Sequence, residues 1–256
     1  MPDPMRTFEV VVKATADEAA AAVAARLKRI VGDAVAERGI CSAALAGGTT
    51  PRGLYGILAR TGTSGEIPWQ NVEVFLSDER DVPQDHPDSN FGMIQRTLLD
   101  HVPIDLARVH PMPADADDLA PSAATYEQTV RDVVPAGPEG LPRFDLILLG
   151  MGGDGHVASL YPGTEALGET DKLVTACPVP VLGRRRMTFT YPLINAARNV
   201  ILLVTGDDKA PAVATLLGDD DHAKAKLPAA CVAPTDGAYY MVLDAPAARD
   251  TDLKPQ

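Results

Sequence analysis

The chain has 256 residues, 46% of them hydrophobic and 23% charged, enough to bury a real core as one large α/β domain or two small ones. A formal charge of −12 argues against nucleic acid and anionic membranes as partners, although a few basic side chains in one cleft can still hold a small anion. Cys41, Cys177 and Cys231 stand far apart without a C-x-x-C, the histidines lack metal-ligand spacing, and no run is apolar for long enough to span a bilayer, so the reading is a protein of the reducing cytoplasm without a structural metal.

The start, Met1-Pro2-Asp3-Pro4-Met5, lacks the basic-then-apolar order of a targeting segment. Phe8–Val12 then reads as a strand. Thr15-Ala16-Asp17-Glu18 is a capping box opening an Ala-rich helix that ends near Gly39. Cys41–Ala46 reads as a strand followed by a helix over Arg52–Arg60. Val72–Leu76 is a strand, Phe91–His101 a helix and Arg108–Met112 a short strand. Further strands are expected at Phe144–Leu149, Lys172–Cys177, Met187–Tyr191, Asn199–Thr205 and Tyr239–Leu243, with helices near Leu119–Asp132, Leu193–Ala197 and Lys209–Leu217. This alternation, with nearly continuous apolar strands, predicts one domain over residues 1–256. It is a mainly parallel, Rossmann-like sheet with helices on both faces and a mobile tail after about residue 245. Ligands of such sheets bind beyond the carboxyl ends of the strands, so the loops there come next.

The strand Cys41–Ala46 runs into Gly47-Gly48-Thr49-Thr50-Pro51. Glycine permits close backbone approach, Thr50 suits an N-cap and Pro51 a first helical position, so a free helix N-terminus here would take an anion such as phosphate. A plain glycine turn before a capped helix explains the same residues. No G-K-[ST] follows, so this is not a Walker loop. The strand Val72–Leu76 ends in Ser77-Asp78-Glu79-Arg80-Asp81, which puts Asp78 and Arg80 either in a solvated loop or at the functional edge. Asp88-Ser89-Asn90 reads as another helix cap.

The strand Phe144–Leu149 is followed by Gly150-Met151-Gly152-Gly153-Asp154-Gly155-His156. The run matches G-x-G-x-x-G, but a dinucleotide fingerprint leads into a long helix and a second strand ending in an acid about 20 residues on. Here Pro162-Gly163 cuts the expected helix short. What remains is His156 at the start of a short helix, flanked by Asp154, with glycines leaving room above the backbone. A lone histidine can simply pack or cap, yet packing does not call for this many glycines, and acid/base work does suit them. Arg184-Arg185-Arg186 precedes the strand Met187–Tyr191, and Lys209 follows Thr205-Gly206-Asp207-Asp208 beyond Asn199–Thr205. Arg186 and Lys209 could close a phosphate clamp with the Gly-Gly-Thr-Thr loop, or be ordinary surface cations.

With these pieces in order, the chain resembles the 6-phosphogluconolactonases of the pentose phosphate pathway, within the glucosamine-6-phosphate isomerase/6-phosphogluconolactonase family. The resemblance runs from about Phe8 to Leu243. It is carried by Gly47–Pro51, Ser77–Arg80, Ser89-Asn90, Leu149–His156, Arg186-Met187-Thr188 and Thr205-Gly206 with Lys209. The deaminases of the family share the D-G-H loop but carry a glutamate where this chain has Tyr161 and a tyrosine where it has Arg80. Lactonases commonly have phenylalanine at the position of Tyr161.

The resemblance implies hydrolysis of 6-phospho-D-glucono-1,5-lactone to 6-phosphogluconate without a cofactor, by a monomer or small homo-oligomer. Gly47, Gly48, Thr49 and Thr50, with Arg186 and Lys209, would hold the phosphate, and Asn90, Gly152 and Gly153 would line the substrate. His156 would be the general base for water attacking C1. Arg80 or the N–H groups of Gly152 and Gly153 would stabilise the oxyanion. Asp78 and Asp154 would either orient His156 or bind sugar hydroxyls. Three other readings stay open: a deaminase-like sugar-phosphate enzyme, a nicotinamide-dependent oxidoreductase and a non-catalytic sugar-phosphate sensor. No G-x-S-x-G nucleophile elbow is present.

Overall fold

The computed structural model describes residues 8–62, 65–179 and 182–256. Among them, seven strands pair in parallel in the order β1 (Phe8–Lys13), β10 (Ala238–Asp244), β9 (Asn199–Val204), β6 (Leu146–Leu149), β2 (Cys41–Leu45), β3 (Val72–Leu76) and β5 (Val109–His110). Every residue of β2, β3 and β6 is buried, which requires cover on both faces and explains their nearly continuous apolar sequences, interrupted at Ser42 and Glu73. The cover comes mainly from helices α1 (Ala16–Arg38), α2 (Thr49–Gly62), α3 (Asn90–Thr97) and α4 (Leu119–Val133), with the shorter α5 (Tyr191–Asn195), α6 (Ala210–Leu217) and α7 (Asp221–Lys224) between later strands. No helix among the described residues is long and apolar enough to cross a membrane.

Local chemistry sets the limits of α1. Thr15 Oγ1 accepts the Glu18 N–H at 3.2 Å, while the Glu18 carboxylate reaches past Thr15 to the Ala14 N–H at 2.9 Å. Gly39, at φ 77°, ends the helix and returns its N–H to the Val35 carbonyl.

A second sheet, absent from the sequence expectation, joins β4 (Asp78–Arg80), β8 (Arg184–Phe189) and β7 (Val174–Val179) in antiparallel pairs. The segments expected at Lys172–Cys177 and Met187–Tyr191 are strands, but they belong here, and the three arginines lie inside β8 rather than before it. The chain crosses from the large sheet to the small one through Ser77 alone. Its N–H donates to the Leu45 carbonyl at 3.0 Å, and its carbonyl accepts the Phe189 N–H at 2.8 Å.

Other local expectations shift. Helix α2 starts at Thr49 behind Gly48 (φ 95°), so Thr50 lies within the first turn and is not the N-cap. Helix α3 stops at Thr97, and a separate tight turn covers Leu99–His101. The expected short helix at His156 is a hydrogen-bonded turn over Val157–Leu160. The tail differs from the expected loose end: Ala247 and Ala248 are buried, and the Gln256 N–H donates to the Val12 carbonyl at 2.9 Å.

Strand order creates the crevice. From β2 the chain moves to β3 and β5 on one side, and from β6 to β9 and β10 on the other, so the loops after β2 and β6 diverge from neighbouring strands. This is the switch point at which open α/β sheets bind ligands. At the opposite end of β6, buried Asp145 accepts the Arg38 Nη2 at 2.8 Å and the Ser42 N–H at 2.9 Å, with Arg198 Nε at 3.3 Å.

Candidate active site

An open cleft of about 190 Å³ lies over this switch point. A larger apolar groove of about 340 Å³ runs along Phe8, Tyr239 and Met241 at the far edge of the sheet, but it gathers none of the polar chemistry, and the site is the smaller, polar cleft. The cleft is lined by Gly47, Gly48, Thr49 and Thr50 from the loop after β2, by Asp78, Arg80 and Asn90 around β4, and by Gly152 and His156 after β6. Arg186 from β8, Lys209 beyond β9 and Tyr161 also line it. Of the residues singled out from the sequence, Asp154 stands behind His156 and Gly153 lies outside the lining.

The glycines have two different reasons to be glycine. A Cβ on Gly47 would fall 1.7 Å from Asn90 Oδ1, so that position is emptied for a side chain and not for a ligand. Gly48 supplies the left-handed turn into α2, whose first residues line the cleft; the first N–H groups of a helix have no helical partner. Thr50 Oγ1 lies 3.1 Å from Thr205 Oγ1, tying the loop to the end of β9.

The loop after β6 is built around a histidine. A Cβ on Gly152 would come within 2.1 Å of His156 Nδ1 and 2.6 Å of Asp154 Oδ1. Asp154 Oδ1 sits 2.6 Å from His156 Nδ1 and also accepts the His156 N–H at 3.1 Å. A carboxylate can only accept, so the imidazole proton belongs on Nδ1 and the lone pair on Nε2. Burial pushes the Asp154 carboxyl up, but the His156 hydrogen bond and charge outweigh it and hold the group below its ordinary value, hence ionised. The Gly152 N–H is already engaged with the His156 carbonyl at 2.9 Å, which removes it as an oxyanion donor.

Asp78 does not touch His156. It is buried, and its Oδ2 accepts the Ser159 hydroxyl at 2.7 Å, while Asn90 Nδ2 donates to its carbonyl at 2.9 Å. Ser159 follows Ala158, which has φ 48° and is the one non-glycine in the left-handed region among the described residues. Such a conformation costs about 1 to 3 kcal/mol and persists where surrounding structure enforces it. Sequence reasoning passed over Ser159, since its partner is distant in the chain.

It also passed over Glu79. This carboxylate is 2% exposed, and among the described residues no cation forms an ion pair with it. It accepts the N–H groups of Arg80 at 2.8 Å, Asn90 at 2.7 Å and Phe91 at 2.8 Å, and the Ser89 hydroxyl at 3.0 Å. Burial pushes its carboxyl upward against those donors. Glu79 thereby seats the N-terminus of α3 against β4, which fixes Asn90. Set between charged Asp78 and Arg80, it carried no local signal that separates it from a solvated loop.

Arg80 and Arg186 are direct cross-strand partners of β4 and β8, and both line the cleft. Like charges opposite one another in a sheet repel. Arg186 is only 7% exposed, yet among the described residues no carboxylate lies within ion-pair distance of either arginine. Arg80 donates to the Asp88 carbonyl, and Arg186 reaches only the Arg185 carbonyl at 3.5 Å. Lys209 differs, being paired with exposed Asp208 at 2.8 Å. The cleft is thus a concave site with two unneutralised guanidinium groups and a helix N-terminus, fit for a dianion, beside an imidazole with a free Nε2. The loop after Gly155 enters no helix, so the backbone donors that a dinucleotide pyrophosphate requires are missing there.

Residues 14–241 match the family described as glucosamine-6-phosphate isomerases/6-phosphogluconolactonase. The chain is 43% identical to a 6-phosphogluconolactonase of Synechocystis over 82% of its own length and 85% of that protein's. It is 39% identical to one of Streptomyces coelicolor, over 82% and 83% respectively. The solved structure of 6-phosphogluconolactonase from Trypanosoma brucei superposes with a TM-score of 0.83 at 30% identity, covering 96% of this chain and 99% of that one. A monomeric glucosamine-6-phosphate deaminase shares the fold, with a TM-score of 0.77 at 24% identity over 95% of this chain and 100% of that one.

Proposed function

The chain belongs to the glucosamine-6-phosphate isomerase/6-phosphogluconolactonase family, and from that premise we propose that it hydrolyses 6-phospho-D-glucono-1,5-lactone to 6-phosphogluconate. The observation that carries this reading is the pair Arg80 and Arg186, unneutralised across β4 and β8 at the mouth of α2. A phosphate dianion bound there would receive charge-assisted hydrogen bonds from guanidinium and from the first N–H groups of α2. Lys209 would add charge from the rim.

With the phosphate anchored, the lactone carbonyl lies toward His156. Nε2 takes a proton from water as the water oxygen bonds to C1, and the imidazolium so formed is stabilised by ionised Asp154 at Nδ1. The Gly152 N–H, engaged with the His156 carbonyl, is not available to the oxyanion, and Arg80 is committed to the phosphate. As the C1–O bond to the ring oxygen breaks, His156 returns its proton to that oxygen, giving the open-chain acid. Asp78, held by Ser159 and facing the cleft, is assigned to a sugar hydroxyl. The unpaired cysteines fit the reducing cytoplasm, which is part of this reading.

The test is direct measurement of lactone hydrolysis with the spontaneous rate subtracted, for the 6-phosphorylated lactone and for gluconolactone. A strong preference for the phosphorylated lactone is expected. Equal turnover of the two would remove the anion site from the reading. Ammonia release from glucosamine 6-phosphate at a comparable rate would move the chain to the other branch of its family.

A further inference from the structure

Asp154 restrains the His156 ring at one atom. A contact at Nδ1 fixes a point but not a plane, and the outer torsion of histidine is broad. A second restraint is present: the ring of Tyr161 lies against the imidazole, with centroids 3.9 Å apart and planes 22° from parallel. The intervening chain is shaped to bring the two rings together. The Leu160 N–H donates to the Val157 carbonyl at 2.9 Å, Ala158 adopts φ 48°, and the chain reverses so that Tyr161 returns over His156. Beyond the turn, the Tyr161 carbonyl accepts the Thr164 hydroxyl at 2.8 Å and its N–H at 3.2 Å, pinning the backbone that carries the ring.

We infer that Tyr161 is a positioning residue for the hydrolysis: its ring face sets the plane of the His156 imidazole, and its hydroxyl takes no part in doing so. This rests on the reading of His156 as the base. Held at an edge by Asp154 and on a face by Tyr161, the ring directs Nε2 to one place in the cleft. General-base catalysis is sensitive to such placement, and a misplacement of about 1 Å can cost about 100-fold.

The test compares Tyr161→Phe, which keeps the flat face, with Tyr161→Leu, which keeps apolar bulk without it; Tyr161→Met serves the same comparison if the leucine variant does not fold. The phenylalanine variant is expected to hold kcat within about twofold. The leucine or methionine variant is expected to lose on the order of 10-fold in kcat, short of the full misplacement penalty, with any change in KM smaller than that loss even though Tyr161 also lines the cleft. Proton NMR supplies a readout that needs no turnover: the ring-current upfield shift of the His156 Hε1 resonance should be present in the parent and the phenylalanine variant and lost with leucine or methionine. Parental kcat in the flat-face-deleted variants would overturn the inference, and so would an equal loss in the phenylalanine variant, which would assign the effect to the hydroxyl. A parent without lactonase activity would defeat the functional reading instead, while the NMR comparison would still decide whether Tyr161 orients the ring.

Discussion

The two ends of β6 carry similar residues in opposite electrical states. At its start, Asp145 gathers Arg38, Arg198 and the Ser42 N–H around one buried carboxylate, so its charge is met within the chain. Past its end, Arg80 and Arg186 face each other across a small sheet with no carboxylate within reach among the described residues. The first arrangement holds the sheet together. The second is incomplete as it stands, and a ligand anion is what would complete it. Arginine and aspartate identity alone does not separate a structural network from a binding site; the charge left over does.

If that division holds, substitutions at the two ends should affect different quantities. The largest effect is expected for His156→Asn in the cleft, a loss of roughly 10²- to 10⁴-fold in kcat, since asparagine preserves size and hydrogen bonding but cannot act as a base. Its thermal midpoint should stay parental, and an unaltered kcat would make His156 a packing residue. At the other end, Asp145→Ala leaves Arg38 and Arg198 without their shared carboxylate. Leaving the Ser42 N–H and two partly exposed arginines without that acceptor costs about 1 to 3 kcal/mol, readable as a lower urea midpoint, while activity per folded molecule stays parental.

Arg186→Met sharpens the contrast. Loss of one charge-assisted contact of about 1.5 to 3 kcal/mol should lower kcat/KM by about 10- to 150-fold. Unlike Asp145→Ala, it should leave the ligand-free protein at least as stable as the parent, because it removes a buried cation without a partner. A marked loss of stability would mean that Arg186 is structurally satisfied after all. The smallest effect concerns acid. The Asp154 carboxyl is lowered in the fold, so the stability it contributes is present above the ordinary aspartate value of about 3.9 and is lost as pH falls through the lowered folded value. The stability difference between the parent and Asp154→Asn should therefore narrow below about pH 4. A difference that stays unchanged as the pH is taken well below that value would assign the stability to another group.

The strands of the large sheet were legible because burial on both faces leaves a nearly continuous apolar run, and the loops after β2 and β6 because glycine follows such a run closely. The small sheet was not. Asp78-Glu79-Arg80 and Arg184-Arg185-Arg186 look like solvated loop when read locally, and only their cross-strand register makes them a sheet. For the same reason the opposition of Arg80 and Arg186 could not be foreseen, although each was singled out. The glycines were read as room for a ligand, but at Gly47 and Gly152 the room is taken by Asn90 and by the His156–Asp154 pair, which only tertiary packing brings there. The choice between roles for Asp78 and Asp154 likewise needed coordinates, since only a distance distinguishes the carboxylate that touches the imidazole.

Ser77, the lone residue between β3 and β4, has a bearing on time as well as on shape. Its amide and carbonyl are tied to strands on either side of it, so the cleft wall bearing Asp78 and Arg80 cannot swing away from the wall bearing the Gly47–Thr50 loop. These two walls do not have to part before product leaves. Turnover should follow the proton transfers and not a conformational clock, so kcat should respond to deuterated solvent and be indifferent to added viscogen.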